Sequence, residues 1–151
     1  MSLAEIINED MKSAMRERNQ RKLEALRAIK AGLLLLKTGK DASSGEIPAT
    51  VEMQLLQKLV KQREESAHTY RSQGREDLAE EENFQAEVIR AYLPQQMSED
   101  EIRDYLTSLV VSLNAYDIKD MGRVMGVAAK ELAGKADNKK VAEIIKTLLT
   151  R

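Results

Sequence analysis

From Leu3 to Leu149 the apolar residues recur three and four positions apart, and only two prolines, at 48 and 94, stand in their way. That period lines one side of an α-helix, whereas a half-buried strand needs strict alternation. Ser2-Leu-Ala-Glu5 has the spacing of a capping box, and Leu3, Ile6, Ile7, Met11, Ala14 and Met15 follow as the first stripe. Asn19 is expected to break this helix. A second runs from about Arg21 to Leu36 on Leu23, Leu26, Ile29, Leu33 and Leu36. Thr38-Gly39 and Ser43-Ser44-Gly45 read as a loop ending before Pro48, and nothing between Lys37 and Thr50 matches a known motif. A third helix starts near Ala49 and turns Val51, Leu55, Leu59, Val60 and Ala67 inward, with Gly74 as its left-handed cap. The fourth, near Arg75 to Tyr92, carries Leu78, Phe84, Val88, Ile89 and Tyr92 and stops at Pro94, because the residue before proline avoids helical dihedrals.

Leu93 to Met97 then reads as a boundary. Ser98-Glu-Asp-Glu101 repeats the capping-box spacing and opens a helix on Ile102, Tyr105, Leu106, Leu109 and Val110. Two further helices follow, near Lys119 to Ala133 and near Asn138 to Thr150, with Asp137 as N-cap of the last. The expected fold is all-α: a four-helix N-terminal domain over residues 1–93 and a small three-helix C-terminal domain over residues 98–151.

Charge is uneven along the chain although the formal net charge is only −1. Lys12 to Lys40 holds nine Lys/Arg against two acids, and Glu64 to Asp104 holds twelve acids against four Arg. Lys119 to Arg151 holds eight basic residues against four acids. Such blocks point to charged partners or to each other. With no cysteine, disulfides and thiolate metal sites are excluded. Met1 to Glu5 lacks the basic and apolar regions of a signal peptide, and the longest apolar run, Ala31 to Leu36, is far short of the ~20 residues that span a bilayer. The expected location is the cytoplasm, with no membrane partner.

Catalytic groups are scarce. His68 is the only histidine, and Ser66, two positions away, does not face it on a helix. Glu65 and His68 have the spacing of carboxylate-bridged metal bundles, but the second motif such a site needs has no histidine to supply it. Glu80-Glu81-Glu82 point in different directions on a helix and read as a solvated face rather than an acid–base pair. No catalytic residue, metal or cofactor is expected.

Three of the seven glycines fall between Met121 and Lys140. Gly134-Lys135 glances at a phosphate loop, but Ala136 cannot ligate magnesium, Ala129 stands where the first glycine belongs, and no strand precedes. Gly134 reads instead as the residue after a helix. Gly122, Gly126, Ala129 and Ala133 share one stripe beside an apolar face of Met121, Met125, Ala128 and Leu132. Two readings are open. The stripe packs closely inside the three-helix unit, or it is exposed and lets a nucleic-acid backbone lie against the helix. Arg123, Lys130, Lys135, Lys139, Lys140 and Lys146 gather around this helix–turn–helix, and the last helix is expected to offer free N–H groups at its start, both suited to phosphate. With aromatics at 3%, single-strand reading by base stacking is not favoured. A structured RNA read by shape and backbone fits better.

Several short stretches, in order, carry a resemblance. They are Asp10-Met11-Lys12 with Ala14-Met15, Leu26-Arg27, Lys61-Gln62-Arg63 with Ser66, Gly74-Arg75-x-Asp77-Leu78 and Tyr92-Leu93-Pro94, then Met121-Gly122-x-Val124-Met125 and Gly134-Lys135-Ala136-Asp137. Over nearly its whole length the chain resembles the YqeY family, whose fold also forms the tail of the GatB subunit of tRNA-dependent amidotransferases. The resemblance implies a larger N-terminal helical domain and a small three-helix C-terminal one. In the amidotransferase that tail contacts tRNA, and related tails occur fused to a glutaminyl-tRNA synthetase. The carbon–nitrogen ligase reaction, with glutamine as amido-nitrogen donor, belongs to other parts of that complex, and the phosphorylating, metal-binding body is absent here. The expected function is a non-catalytic module of the translation system that binds tRNA or another structured RNA, not DNA, alongside the aminoacyl-tRNA synthesis machinery. Its expected contact residues are Gly122, Arg123, Gly126, Lys130, Gly134, Lys135, Lys139 and Lys140. The alternative is a protein–protein adaptor that docks through the acidic fourth helix and the basic segments.

Overall fold

The computed structural model describes residues 1–38 and 47–150. The loop expected around Gly39 and Ser43-Ser44-Gly45 lies outside the described residues. Among those described there are seven α-helices and no strand: α1 (Leu3–Arg16), α2 (Gln20–Thr38), α3 (Ala49–Ser72), α4 (Glu76–Arg90), α5 (Glu99–Ser112), α6 (Met121–Glu131) and α7 (Asn138–Leu149), with a 3₁₀ turn at Ile118–Asp120 leading into α6. The all-α class follows the apolar period. The chain divides into two compact units, Met1–Leu93 and Pro94–Arg151, so α1–α4 fall in the first and α5–α7 in the second.

Polar side chains set most of the helix ends. Ser2 Oγ accepts the Glu5 N–H at 3.2 Å. At Ser98 both halves of the capping box form, with Ser98 Oγ accepting from Glu101 N–H at 3.1 Å and Glu101 Oε1 accepting from Ser98 N–H at 3.0 Å. Gly74 ends α3 at φ +75°, where a Cβ is disfavoured, and the Arg75 N–H reaches back to Tyr70 O at 2.8 Å. Asn19 behaves differently from expectation. The break after α1 is made by Arg18, at φ +58°, while Asn19 Oδ1 accepts the Lys22 N–H at 3.2 Å and so starts α2.

In the first unit α1 contributes Ile7 and Ala14 to the core, α2 contributes Leu23, Leu26, Ile29 and Leu33, α3 contributes Leu56 and Val60, and α4 contributes Ala86 and Ile89. Each fully buried Leu or Ile is worth roughly 1.5–3 kcal/mol against exposure. Leu56, fully buried, takes the central place the sequence assigned to its neighbours Leu55 and Leu59, which pack at the core's edge. Ion pairs join α4 to its neighbours. Arg21 Nε meets Glu81 Oε2 at 3.0 Å while its guanidinium lies 4.1 Å above the Phe84 ring, and Arg90 Nη2 meets Glu64 Oε1 at 3.2 Å. The acidic run of α4 is therefore partly answered by basic residues within its own unit. The Tyr92 hydroxyl donates to Asp10, tying the end of α4 to α1; burial first, then the Asp10 carboxylate, pushes that hydroxyl's pKa up.

The second unit has its own core. Ile102, Leu106 and Leu109 of α5 meet Val124 and Ala128 of α6, and Val141, Ile144, Ile145 and Leu149 of α7, with Leu132 and Ala136 from the α6–α7 connection.

Candidate nucleic-acid interface

Helix α6 decides how the glycine stripe is used. Its inward line is Val124, Ala128 and, just past its end, Leu132, at four-residue steps; Met121 and Met125 pack only at the margin. With Val124 buried, Gly122 and Gly126 face away from the core. Both are exposed, and a Cβ added to either would meet nothing within 4 Å. The close-packing reading is thus overturned for these two glycines within the unit. The stripe turns inward only at its far end, where Ala129 and Ala133 are half-buried.

The flanking cations fall into two sets. Lys130, one turn beyond Gly126, is exposed, as are Lys135 in the connection, Lys139 in the first turn of α7 and Lys146 near its end. Lys140 instead turns its ammonium to Glu99 Oε2 at 3.3 Å. Arg123, though exposed, is also occupied: Nη1 donates to Leu113 O at 2.6 Å and Nη2 to Asp120 Oδ1 at 3.2 Å. Sequence reasoning could not foresee this tie, because it joins positions ten residues apart through a turn. Exposed pairs such as Lys140–Glu99 are worth about 0–1 kcal/mol and exchange readily for another anion.

Arg123 thereby anchors the loop between α5 and α6. Asp120 Oδ2 accepts the Tyr116 N–H at 2.9 Å and the Asp117 N–H at 3.4 Å, and Asp117 Oδ1 accepts the Lys119 N–H at 2.9 Å. The Tyr116 backbone N–H, then the Arg123 guanidinium, hold the Asp120 carboxyl below the usual aspartate range. Asn114, at φ +53°, caps α5, and Ala115 is buried beneath the turn.

Two expectations for this region need correction. Gly134 has the left-handed φ of +76° that a helix end asks for, but it is buried and its carbonyl accepts from Gln96 Nε2 at 2.6 Å. Its role is the cap, not the surface. The start of α7 is not an open set of N–H groups either: Asp137 Oδ1 accepts the Lys139 N–H at 3.3 Å, so a carboxylate already sits where a phosphate was expected. Elsewhere, His68 and Glu65 are exposed on α3, and among the described residues no three His, Asp or Glu gather as a metal site.

A comparison with protein families matches the Yqey-like protein family over residues 4–149. This chain belongs to the YqeY family. It is 30% identical over 146 residues to Altered inheritance of mitochondria protein 41, mitochondrial, of Pyrenophora tritici-repentis, covering 90% of this chain and 77% of that one. The protein of the same name from Clavispora lusitaniae is 31% identical over 110 residues, covering 72% of this chain and 62% of its own. The YqeY-family chain thus spans less than two thirds of this second relative. No helix among its described residues is long and apolar enough to cross a membrane. What its C-terminal unit brings together is a bare stretch of helix backbone at Gly122 and Gly126, edged by Arg123 and Lys130, with Lys135 and Lys139 in the next connection and turn.

Proposed function

We propose that this YqeY-family chain is a non-catalytic, cytoplasmic accessory module of the translation system that binds structured RNA, tRNA foremost, through its C-terminal unit. The observation that carries the reading is the open glycine face of α6. Gly126 costs the helix stability, since an interior glycine is worse than alanine by roughly 0.5–1 kcal/mol, and Gly122 in the first turn leaves the backbone bare on the same side. Nothing inside the unit uses the space they leave. Glycine on an exposed helix face is useful to a partner that must come close to the backbone, and the cations beside it give that partner a negative charge. An RNA helix, recognised by its shape and phosphates, has both properties. The resemblance to the tRNA-contacting tail of the amidotransferase supports the same choice, with the aminoacyl-tRNA synthesis machinery as the setting and any amide transfer left to other proteins.

Gly126→Leu tests this reading. A side chain there should hold the two backbones apart, weakening binding to total tRNA, while the melting temperature stays the same or rises. Wild-type tRNA affinity in a folded Gly126→Leu protein would remove the glycine face from the contact. If the unaltered protein retains no tRNA even at low salt, the adaptor reading takes its place.

A further inference from the structure

Of the five aromatic side chains, Tyr70, Phe84, Tyr92 and Tyr105 are half-buried, whereas Tyr116 is 79% exposed. It does not stand on a loose loop. Its N–H is bonded to the same Asp120 carboxylate that grips Arg123, and Ala115 beside it is buried. The backbone at Tyr116 is thus tied, through one shared carboxylate, to the helix that carries Gly122 and Gly126. Val111 and Ile118, close by in the chain, are exposed as well, at 71% and 46%. In the turn itself Asp117 and Asp120 outweigh Lys119, so it has no positive charge with which to draw a phosphate. A ring displayed on a turn anchored to α6, in surroundings that do not attract phosphate, suits the flat, uncharged face of a nucleobase.

We infer that Tyr116 is a base-stacking residue, which takes an unpaired nucleotide of the RNA while α6 and the lysines hold the backbone of the adjoining helix. The inference rests on the RNA reading above and adds a specificity to it: preference for a structured RNA with a splayed base over a continuous duplex. Low aromatic content argued against base stacking, but the count of aromatics carried no information on which one is displayed.

The test measures filter binding of a transcribed tRNA and of an uninterrupted RNA duplex to the full chain, to Tyr116→Ala, to Tyr116→Phe and to Lys130→Gln. Tyr116→Ala should weaken tRNA binding about tenfold, the range of one lost base stack, without changing the salt dependence. Tyr116→Phe should bind nearly as well as the unaltered chain, and duplex affinity should be indifferent to either change. Lys130→Gln should lower the salt slope by about one, as expected for a phosphate contact. All variants should melt alike, since both side chains are exposed. Unchanged tRNA affinity in Tyr116→Ala overturns the inference, and so does an equal loss for tRNA and duplex. If Lys130→Gln nonetheless weakens binding, the RNA reading survives and the stacking role alone is lost. Failure of the unaltered chain to bind tRNA removes both.

Discussion

Gly32 and Gly126 both sit inside helices, yet a side chain at each has opposite consequences. A Cβ on Gly32 would lie 2.7 Å from Leu55 Cδ1 and 3.0 Å from Cδ2, whereas one on Gly126 meets open space. Gly32→Val should therefore lower stability by about 1 kcal/mol, the low end for overpacking, because the Leu55 side chain at the core's edge must turn aside. Gly126→Ala should raise it by roughly 0.5–1 kcal/mol through helix propensity alone. Urea denaturation of the two variants checks both signs, and destabilisation by Gly126→Ala would mean that the α6 face is packed after all. Leu56→Ala should cost about 2–5 kcal/mol, as a large-to-small change at a fully buried position. Position 56 also shows where sequence reading reaches its limit. Leu55, Leu56 and Leu59 all fit an apolar stripe, and only the packing of α2 and α4 chooses among them. Val124 against Met121 and Met125 is the same ambiguity on α6, and there it decided whether the glycines faced in or out.

At the scale of elements, the boundaries marked by a polar cap or a left-handed glycine were legible: Ser2, Gly74, Ser98 and Asp137 each stand at a helix end. The breaks at Arg18 and Asn114 were not, because a non-glycine residue in the left-handed region leaves no mark in composition. Two caps also give the C-terminal unit an acid limb. Glu101, hydrogen-bonded by the Ser98 backbone, and Asp120, hydrogen-bonded by the Tyr116 backbone, both have pKa values held below the ordinary 4.5 and 3.8. A depressed carboxylate stabilises the fold above its unfolded pKa, and the contribution is lost as pH falls through its folded pKa. Amide exchange in α5 and α6 should thus accelerate as pH drops below those ordinary values, after correction for intrinsic rates. A Glu101→Gln, Asp120→Asn double variant should show a flatter acid limb. An identical limb in the double variant would contradict the assignment.

For the whole molecule, charge along the sequence foretold more than composition did. The acidic stretch and the basic N-terminal stretch partly answer each other, as Arg21–Glu81 shows, and the C-terminal stretch keeps Lys130, Lys135 and Lys139 exposed. The candidate contact residues were readable as a basic, glycine-bearing cluster. Their division into exposed face, buried cap at Gly134 and loop anchor at Arg123 was not, since each depends on contacts across turns. RNA binding through phosphate contacts, as proposed above, has a simple signature in solution. Its most direct test is the affinity for total tRNA measured across a salt series. With about four such contacts, affinity should fall on the order of a hundredfold for a fourfold rise in salt. Affinity that stays level across the series, or no retained tRNA at its lowest salt, would contradict it.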